Sequence, residues 1–224
     1  MHEAVVKKED ISMKSFFSSF RKSANEFTNL RSLSITGIFI AMSVVLESVT
    51  INTPYFKISF AYLAAACIGM LFGPTVGFAS GLICDVLGFM VNPAGAPFLP
   101  IYTLVQGLSG LIYGAVLYHK TDYSFISRKT EKLESVKSKN GLSVQFFVRI
   151  VIAKLLNITF INIFINTALN MHYGFIPKQA YSAAIVARVL KNLIQLAADI
   201  PLMFVILPTV FVIYKRTFGK KAAA

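Results

Sequence analysis

Six long apolar stretches fill most of this sequence, and they constrain the fold more than any other feature. They are Leu33–Val49, Ile58–Phe72, Thr75–Val91, Ile101–Tyr118, Phe146–Met171 and Ala183–Tyr214. A helix of about 20 apolar residues crosses the roughly 30 Å hydrocarbon core of a bilayer. Strands of a membrane barrel would instead alternate apolar and polar residues. The sequence therefore predicts an all-α integral membrane protein with a bundle of six transmembrane helices, the last with an amphipathic lead-in.

The charges indicate how this bundle is oriented. The net charge is +12, although only 14% of residues are charged. Sixteen of the 22 Lys and Arg residues lie in three polar blocks, within residues 1–31, 119–145 and 215–221. Positive residues concentrate on the cytoplasmic side of membrane proteins. We therefore expect a multi-pass protein of the cell membrane with both termini cytoplasmic, and no nucleic-acid partner.

This division also gives the expected organisation of the chain. Residues 1–32 form a partly amphipathic cytoplasmic segment that contacts membrane lipid, and residues 33–214 form the transmembrane domain. A cytoplasmic insertion covers about 119–145, and residues 215–224 form a basic cytoplasmic tail.

Small residues recur at helical spacing in several spans. Gly73, Gly77 and Gly81 are four residues apart. Membrane helices pack closely where such residues align, so this stripe predicts contact within the bundle. The first span carries Gly37 and Ala41 on a comparable face. From spacing alone that face contacts either another protein, another helix of the bundle or lipid.

Polar side chains within the spans indicate where a ligand binds. Asn162, Asn166 and Asn170 follow one another in steps of four, which places three carboxamides on one face of an α-helix. Amides both donate and accept hydrogen bonds, and cations bind carboxylates, so a partly aromatic, partly anionic ligand fits. The candidate pocket residues are Tyr102, Thr103 and Gln106 on the fourth span, Asn162 and Asn166 on the fifth, and Arg188, Lys191 and Asn192 on the sixth.

Three charged residues lie deeper in the spans. Lys154 in the fifth span needs a partner, because an isolated charge at membrane depth is costly. Asp85 and Asp199 are the alternatives, and a long side chain can also reach the interface.

Known enzyme and ATPase motifs are absent from the sequence. It contains no phosphate-binding loop with a Gly-Lys-Ser/Thr ending and no HExxH or G-x-S-x-G pattern. We therefore expect a protein that is not an enzyme and needs no cofactor. A standalone secondary transporter and a membrane enzyme acting on lipid remain the alternatives.

Several short motifs, spread in order over residues 31–214, carry a family resemblance. They are Leu71-Phe72-Gly73-Pro74, Asp85-Val86-Leu87-Gly88-Phe89, the proline-rich stretch through Pro100, Leu111-Ile112-Tyr113-Gly114, Asn166-Thr167, Tyr173-Gly174, Arg188 and Lys191-Asn192. Together they resemble the folate-type S components of energy-coupling factor (ECF) vitamin transporters.

The resemblance implies the six-helix S-component fold and capture of a vitamin at the exterior face. It also implies docking onto a transmembrane coupling subunit and two ATPase subunits, which hydrolyse the ATP. The family's docking motif on the first helix maps onto Gly37 and Ala41. Folate is the first expectation for the vitamin. Pantothenate, thiamin or another precursor are the alternatives, because Ala168-Leu169 follows Thr167 where folate-type members often carry an aromatic residue.

Overall fold

Six helices form a bundle in a computed structural model that describes residues 18–48, 50–52, 57–93, 97–118, 141–175 and 181–218. The helices are α1 (Leu30–Ser48), α2 (Tyr62–Phe72), α3 (Pro74–Val91), α4 (Pro100–Leu117), α5 (the consecutive segments Gly141–Leu156, Asn157–Ile165 and Asn166–His172) and α6 (Tyr181–Phe218). Helical residues 18–25 and the 3-10 turn Glu26–Thr28 precede α1. Five of the six helices are long and apolar enough to cross a membrane. The predicted helical membrane architecture is confirmed.

The second span begins later than predicted. Helix α2 has only 11 residues, about 16 Å at the usual rise per residue. Lys57–Ile58 (β2) instead pairs with Ile51–Asn52 (β1) as a short antiparallel ribbon. The prediction that the apolar run is helical from Ile58 onward was wrong, while the all-helical membrane fold is confirmed around this two-residue ribbon. β-branched isoleucines favour extended backbone. Pairing of the two strands satisfies main-chain hydrogen-bonding groups, and an apolar run in the sequence does not show that such a pairing partner is available.

Helix α2 lies at the centre of the bundle. Eight of its 11 residues are buried, including Cys67 and Met70. They pack against residues of α4, α5 and α6, among them Tyr113, Ile150 and Met203. A helix surrounded by protein on most sides does not need the full length of a lipid-facing span, which explains how a short α2 is accommodated.

Glycines join α3 and α4 closely, as their spacing predicts. A Cβ placed on Gly110 would lie 2.1 Å from the carbonyl oxygen of Gly77, and one on Gly114 would lie 2.5 Å from the Cα of Pro74. Gly73 has φ of 90°, a conformation that favours glycine, and it separates α2 from α3. Pro74 then starts α3 at a position where its missing N–H costs nothing.

Part of the N-terminal segment packs on the bundle rather than standing apart from it. The Ser23 side chain is fully buried and donates a hydrogen bond to the carbonyl oxygen of Phe72 at 2.6 Å. The same hydroxyl accepts hydrogen bonds from the backbone N–H groups of Thr75 at 3.0 Å and Val76 at 3.2 Å. The Ser23 hydroxyl thus forms hydrogen bonds with both the last residue of α2 and the first turn of α3. Residues 1–17 of the predicted segment lie outside the described residues.

The ends of the last two spans also differ from the prediction. Helix α6 runs without interruption for 38 residues and contains Pro201 and Pro208, so the lead-in and the span form one helix. It extends to Phe218, beyond the predicted start of the tail at residue 215. Helix α5 begins at Gly141, inside the predicted insertion. Residues 119–140 and 219–224 lie outside the described residues.

The charged residues of the spans take different partners. The Lys154 ammonium forms an ion pair with Asp199 at 2.7 Å, which links α5 to α6. It also lies 3.5 Å from the centre of the Tyr62 ring. Asp85 instead accepts a hydrogen bond from Thr103 at 2.7 Å between α3 and α4. Of the two alternative partners for Lys154, the structure selects Asp199.

Candidate ligand-binding site

Cross-helix contacts show that α5 runs antiparallel to both α4 and α6. Ser109 on α4 donates a hydrogen bond to Asn157 on α5 at 2.6 Å, while Tyr102 meets Asn170 nearer the end of α5. Lys154 meets Asp199 on α6, while Asn162 meets Asn192 earlier in α6. The starts of α4 and α6 and the end of α5 therefore lie together, and we name this region the polar end.

The middle of α5 is a π-helix, which the sequence did not predict. It covers Asn157–Ile165, and the backbone N–H of Asn166 bonds to the carbonyl oxygen of Ile161, five residues earlier. A π-helix has a wider turn than an α-helix and occurs often at functional sites. Of the three asparagines expected on one α-helical face, Asn162 lies within this π-helix, whereas Asn166 and Asn170 belong to the α-helical segment Asn166–His172. The four-residue α-helical spacing therefore applies to Asn166 and Asn170 and changes at Asn162.

Asn162 nevertheless lies at the centre of a polar cluster. Its amide donates a hydrogen bond to the Asn192 side chain at 3.5 Å and its side-chain oxygen accepts one from Asn166 at 3.4 Å. Its backbone carbonyl accepts a hydrogen bond from Nη1 of Arg188 at 3.2 Å. Asn192 is buried, and Asn162 and Asn166 are half-buried. Four of the eight predicted pocket residues thus come together.

Tyr102 on α4 contacts the last turn of α5, beyond this cluster. Its hydroxyl donates a hydrogen bond to the side-chain oxygen of Asn170. Asn170, which the prediction placed on the asparagine face but not among the pocket residues, therefore belongs to this group of contacts.

The remaining three predicted residues occupy different positions. Thr103 is buried and bonded to Asp85, so its hydroxyl lies in the contact between α3 and α4. The Gln106 side chain is exposed on α4, and that of Lys191 is partly exposed on α6. The Asp85 partner of Thr103 could have been found from the sequence, since both are polar residues near the same end of adjacent spans.

The proline-rich stretch before α4 has a sequence typical of either a pocket cap or a rigid connector. Residues 94–96 of this stretch lie outside the described residues. On either side of residues 94–96, the rings of Phe89 and Phe98 pack against each other with centroids 5.2 Å apart. The amide of Asn92 also donates a hydrogen bond to the backbone carbonyl of Glu47 at 3.3 Å, which ties the end of α3 to α1.

The predicted docking residues lie on an open face of α1. Gly37 and Ala41 are exposed, and a Cβ on Gly37 would meet nothing within 4 Å. Gly37 also borders a mainly apolar cavity of about 230 Å³ between α1 and α3. The cavity lies near the starts of these helices, at the opposite end of the bundle from the polar end. It is therefore separate from the candidate ligand site.

The architecture and the polar end are typical of a membrane protein that binds a small molecule. Amide groups, one guanidinium and aromatic rings converge at one end of an apolar bundle, and these groups bind ligands without needing proton transfer. Residues 31–207 match the family described as the ECF transporter, substrate-specific component. Because that match covers most of the chain, this protein belongs to that family, whose members are transport proteins rather than enzymes.

Individual relatives agree with this assignment. The chain is 39% identical over 88 residues to a folate transporter FolT of Clostridium novyi, covering 37% of this chain and 51% of the relative. It is 29% identical over 92 residues to FolT of Leuconostoc mesenteroides, covering 41% of this chain and 49% of the relative. The matched segments therefore span about half the length of these curated relatives.

A solved structure extends the similarity over most of the fold. It is described as the crystal structure of FolT bound with folic acid, and it has a TM-score of 0.57 and 27% identity to this chain. The similarity covers 80% of this chain and 91% of that chain.

Proposed function

We propose that this chain is the substrate-binding subunit of an ECF-type importer and that it captures folate at the polar end. The observation that carries the proposal is the cluster of Asn162, Asn192 and Arg188 at one end of an otherwise apolar bundle. Similarity to proteins named folate transporters, and to one solved with folic acid bound, supports the choice of ligand.

The chemistry of the polar end complements that of folate. The pterin ring carries several nitrogen and oxygen atoms in one plane, and carboxamides such as those of Asn162 and Asn166 can donate to or accept from them. Folate also ends in a glutamate with two carboxylates. The Arg188 guanidinium already donates a hydrogen bond within the amide cluster, and a guanidinium can bind a carboxylate through two hydrogen bonds.

Transport requires partners in this proposal. The exposed face of α1 around Gly37 and Ala41 binds the transmembrane coupling subunit, and two ATPase subunits of the same module hydrolyse ATP. The basic blocks favour cytoplasmic termini, which puts the polar end at the exterior face. The chain itself then needs no cofactor, and release of the vitamin inward depends on the module.

The ligand is tested by isothermal titration calorimetry of the detergent-purified protein against folic acid, a reduced folate, thiamin and pantothenate. Saturable binding of folic acid or the reduced folate supports the proposal. Binding of thiamin or pantothenate alone would overturn the choice of vitamin. No heat of binding with any of the four would overturn the substrate assignment.

Docking is tested by co-purification of an ECF module with tagged variants of this chain. Gly37→Trp should abolish co-purification and leave folic acid affinity intact, because it fills the open face without touching the polar end. Ile194→Trp is the matched control, since this residue is 70% exposed on a different helix, α6. Normal assembly of Gly37→Trp would overturn the docking surface.

A further inference from the structure

The junction between the π-helix and the last α-helical segment of α5 changes the hydrogen-bond partner of one backbone carbonyl. In an α-helix, the N–H of Asn166 would donate to the carbonyl oxygen of Asn162, four residues earlier. Here it donates to the carbonyl oxygen of Ile161, five residues earlier. The Asn162 carbonyl therefore loses its α-helical donor, and a partly buried polar backbone group needs another one.

Two side chains donate to this carbonyl instead. Nη1 of Arg188 on α6 lies 3.2 Å from the Asn162 carbonyl oxygen, and Oγ1 of Thr167 lies 3.5 Å from it. The Thr167 side chain is fully buried, so its hydroxyl is held in place by the surrounding bundle. Arg188 is partly exposed, and its long side chain can move. The hydrogen bond from Arg188 is therefore the one that a ligand can replace.

The energetics favour this replacement when the ligand is an anion. Arg188 carries a full charge but donates to a neutral carbonyl, whereas a carboxylate would accept two charge-assisted hydrogen bonds from the same guanidinium. A carboxylate that binds Arg188 then takes one donor away from the Asn162 carbonyl. Leaving this partly buried acceptor without that donor costs free energy unless the ligand supplies an N–H group of its own.

The separation of the two protein groups indicates where that N–H group lies in the ligand. Because Nη1 of Arg188 is within hydrogen-bond distance of the Asn162 carbonyl, a carboxylate bound beside it is close to that oxygen as well. In an N-acyl amino acid, a single carbon atom joins the amide nitrogen to the carboxylate. Folate ends in such a group, since its glutamate is attached through an amide.

We infer that Arg188 and the Asn162 carbonyl together bind the N-acyl amino acid end of the ligand, with Thr167 as a positioning residue. The carboxylate binds Arg188, the adjacent amide N–H donates to the Asn162 carbonyl, and the Thr167 hydroxyl holds that carbonyl in place. This inference rests on the proposed function. It deepens that function by naming the ligand group recognised and by assigning Thr167, which is not among the predicted pocket residues.

The amide contact is tested with two ligands on the full-length wild type, by calorimetry. One is folic acid, and the other is its ester analogue, in which an oxygen atom replaces the N–H between the benzoyl group and the glutamate. The analogue keeps the pterin and both carboxylates but lacks the donor, so we expect it to bind about tenfold more weakly. Equal affinities for the two ligands would overturn the inference.

The role of Thr167 is tested with the same two ligands on three variants. Thr167→Val has a similar shape but no hydroxyl, and its preference for folic acid over the ester analogue should fall to about threefold. Thr167→Ser keeps a hydroxyl and should keep the full preference. Thr209→Val is the matched control, because the Thr209 hydroxyl donates to Val205 within α6. If Thr167→Val weakened both ligands equally, Thr167 would have a purely structural role and the positioning assignment would be wrong.

The outcomes distinguish failure of this inference from failure of the proposed function. A wild type that binds folic acid and the ester analogue equally well keeps the proposed function and loses the carbonyl contact. A wild type that binds neither ligand overturns the proposed function, and the inference falls with it. If Thr167→Val does not fold, the wild-type comparison still decides the carbonyl contact, and a lost preference in Thr167→Ser would contradict the role of the hydroxyl.

Discussion

The ammonium of Lys154 lies 2.7 Å from the carboxylate of Asp199, and both side chains are buried between α5 and α6. Asp199→Asn leaves the lysine without its counter-charge, and breaking a buried pair in this way costs about 3–5 kcal/mol. We expect a clear drop in melting temperature. It can be measured by the reaction of the fully buried Cys67 thiol with a fluorogenic maleimide, in a Cys84→Ser background.

The matched control replaces both members of the pair. Lys154→Met with Asp199→Leu removes both charges and keeps apolar volume, so it should retain most of the stability that the single variant loses. If the double variant were as unstable as Asp199→Asn, the charge pair would not explain the loss.

The glycine contact between α3 and α4 should be intolerant of a single methyl group. Gly110→Ala places its Cβ against the carbonyl oxygen of Gly77, a backbone atom that can move away only if the helices separate. Overpacking of this kind costs about 1–3 kcal/mol, so we expect a lower melting temperature. Gly37→Ala is the control, because its Cβ would meet open space. Alanine favours helix more than glycine does, so helix propensity alone would stabilise both variants. Equal destabilisation of Gly37→Ala and Gly110→Ala would therefore contradict the packing explanation.

The Ser23 hydroxyl should stabilise the turn between α2 and α3. Ser23→Ala removes one donor and one acceptor from three hydrogen bonds and leaves buried backbone groups of Phe72 and Val76 unpaired. The expected loss is about 1–3 kcal/mol. Ser34→Ala is the control, since that serine is exposed and donates a hydrogen bond to the Leu30 carbonyl of its own helix. An unchanged melting temperature for Ser23→Ala would contradict this stabilising role of the hydroxyl.

The sequence was sufficient to predict the elements whose cause is local. Long apolar runs define helices in lipid, and the glycine spacing of α3 anticipates its contact with α4 because only residues without side chains permit that approach. Tyr102, Asn162, Arg188 and Asn192 could be chosen because polar groups in apolar spans need partners.

Other features depend on three-dimensional packing and could not be read from the chain. The π-helix of α5 depends on how its neighbours contact it, and no motif in Asn157–Ile165 identifies it. The choice of Asp199 over Asp85 depends on which faces of α3, α5 and α6 meet. The shortness of α2 reflects its central position, since its apolar composition is the same as that of a full span.

Arg188 should contribute mainly to binding of the anionic part of the ligand. Arg188→Met keeps an unbranched side chain but removes the charge, and hydrogen bonds to charged groups contribute about 1.5–3 kcal/mol. We therefore expect folic acid to bind at least tenfold more weakly, while a pterin without the glutamate is affected much less. Calorimetry with both ligands measures the difference.

Arg216→Met is the control for this charge, because Arg216 is exposed near the opposite end of α6. If the two variants weakened folic acid binding equally, the effect would arise from net charge and not from a local contact. If Arg188→Met weakened both ligands equally, Arg188 would act by holding the Asn162 backbone.

The π-helical stretch of α5 lies between the part of the helix that carries Lys154 and the part that carries Asn166 and Asn170. Each residue added to or removed from a helix rotates its C-terminal remainder by about 100°. Inserting or deleting one residue within Asn157–Ile165 would rotate Asn166 and Asn170 to a different side of α5, while Lys154 would stay paired with Asp199. A one-residue insertion or deletion in this stretch should therefore alter the polar end while the ion pair that links α5 to α6 stays in place.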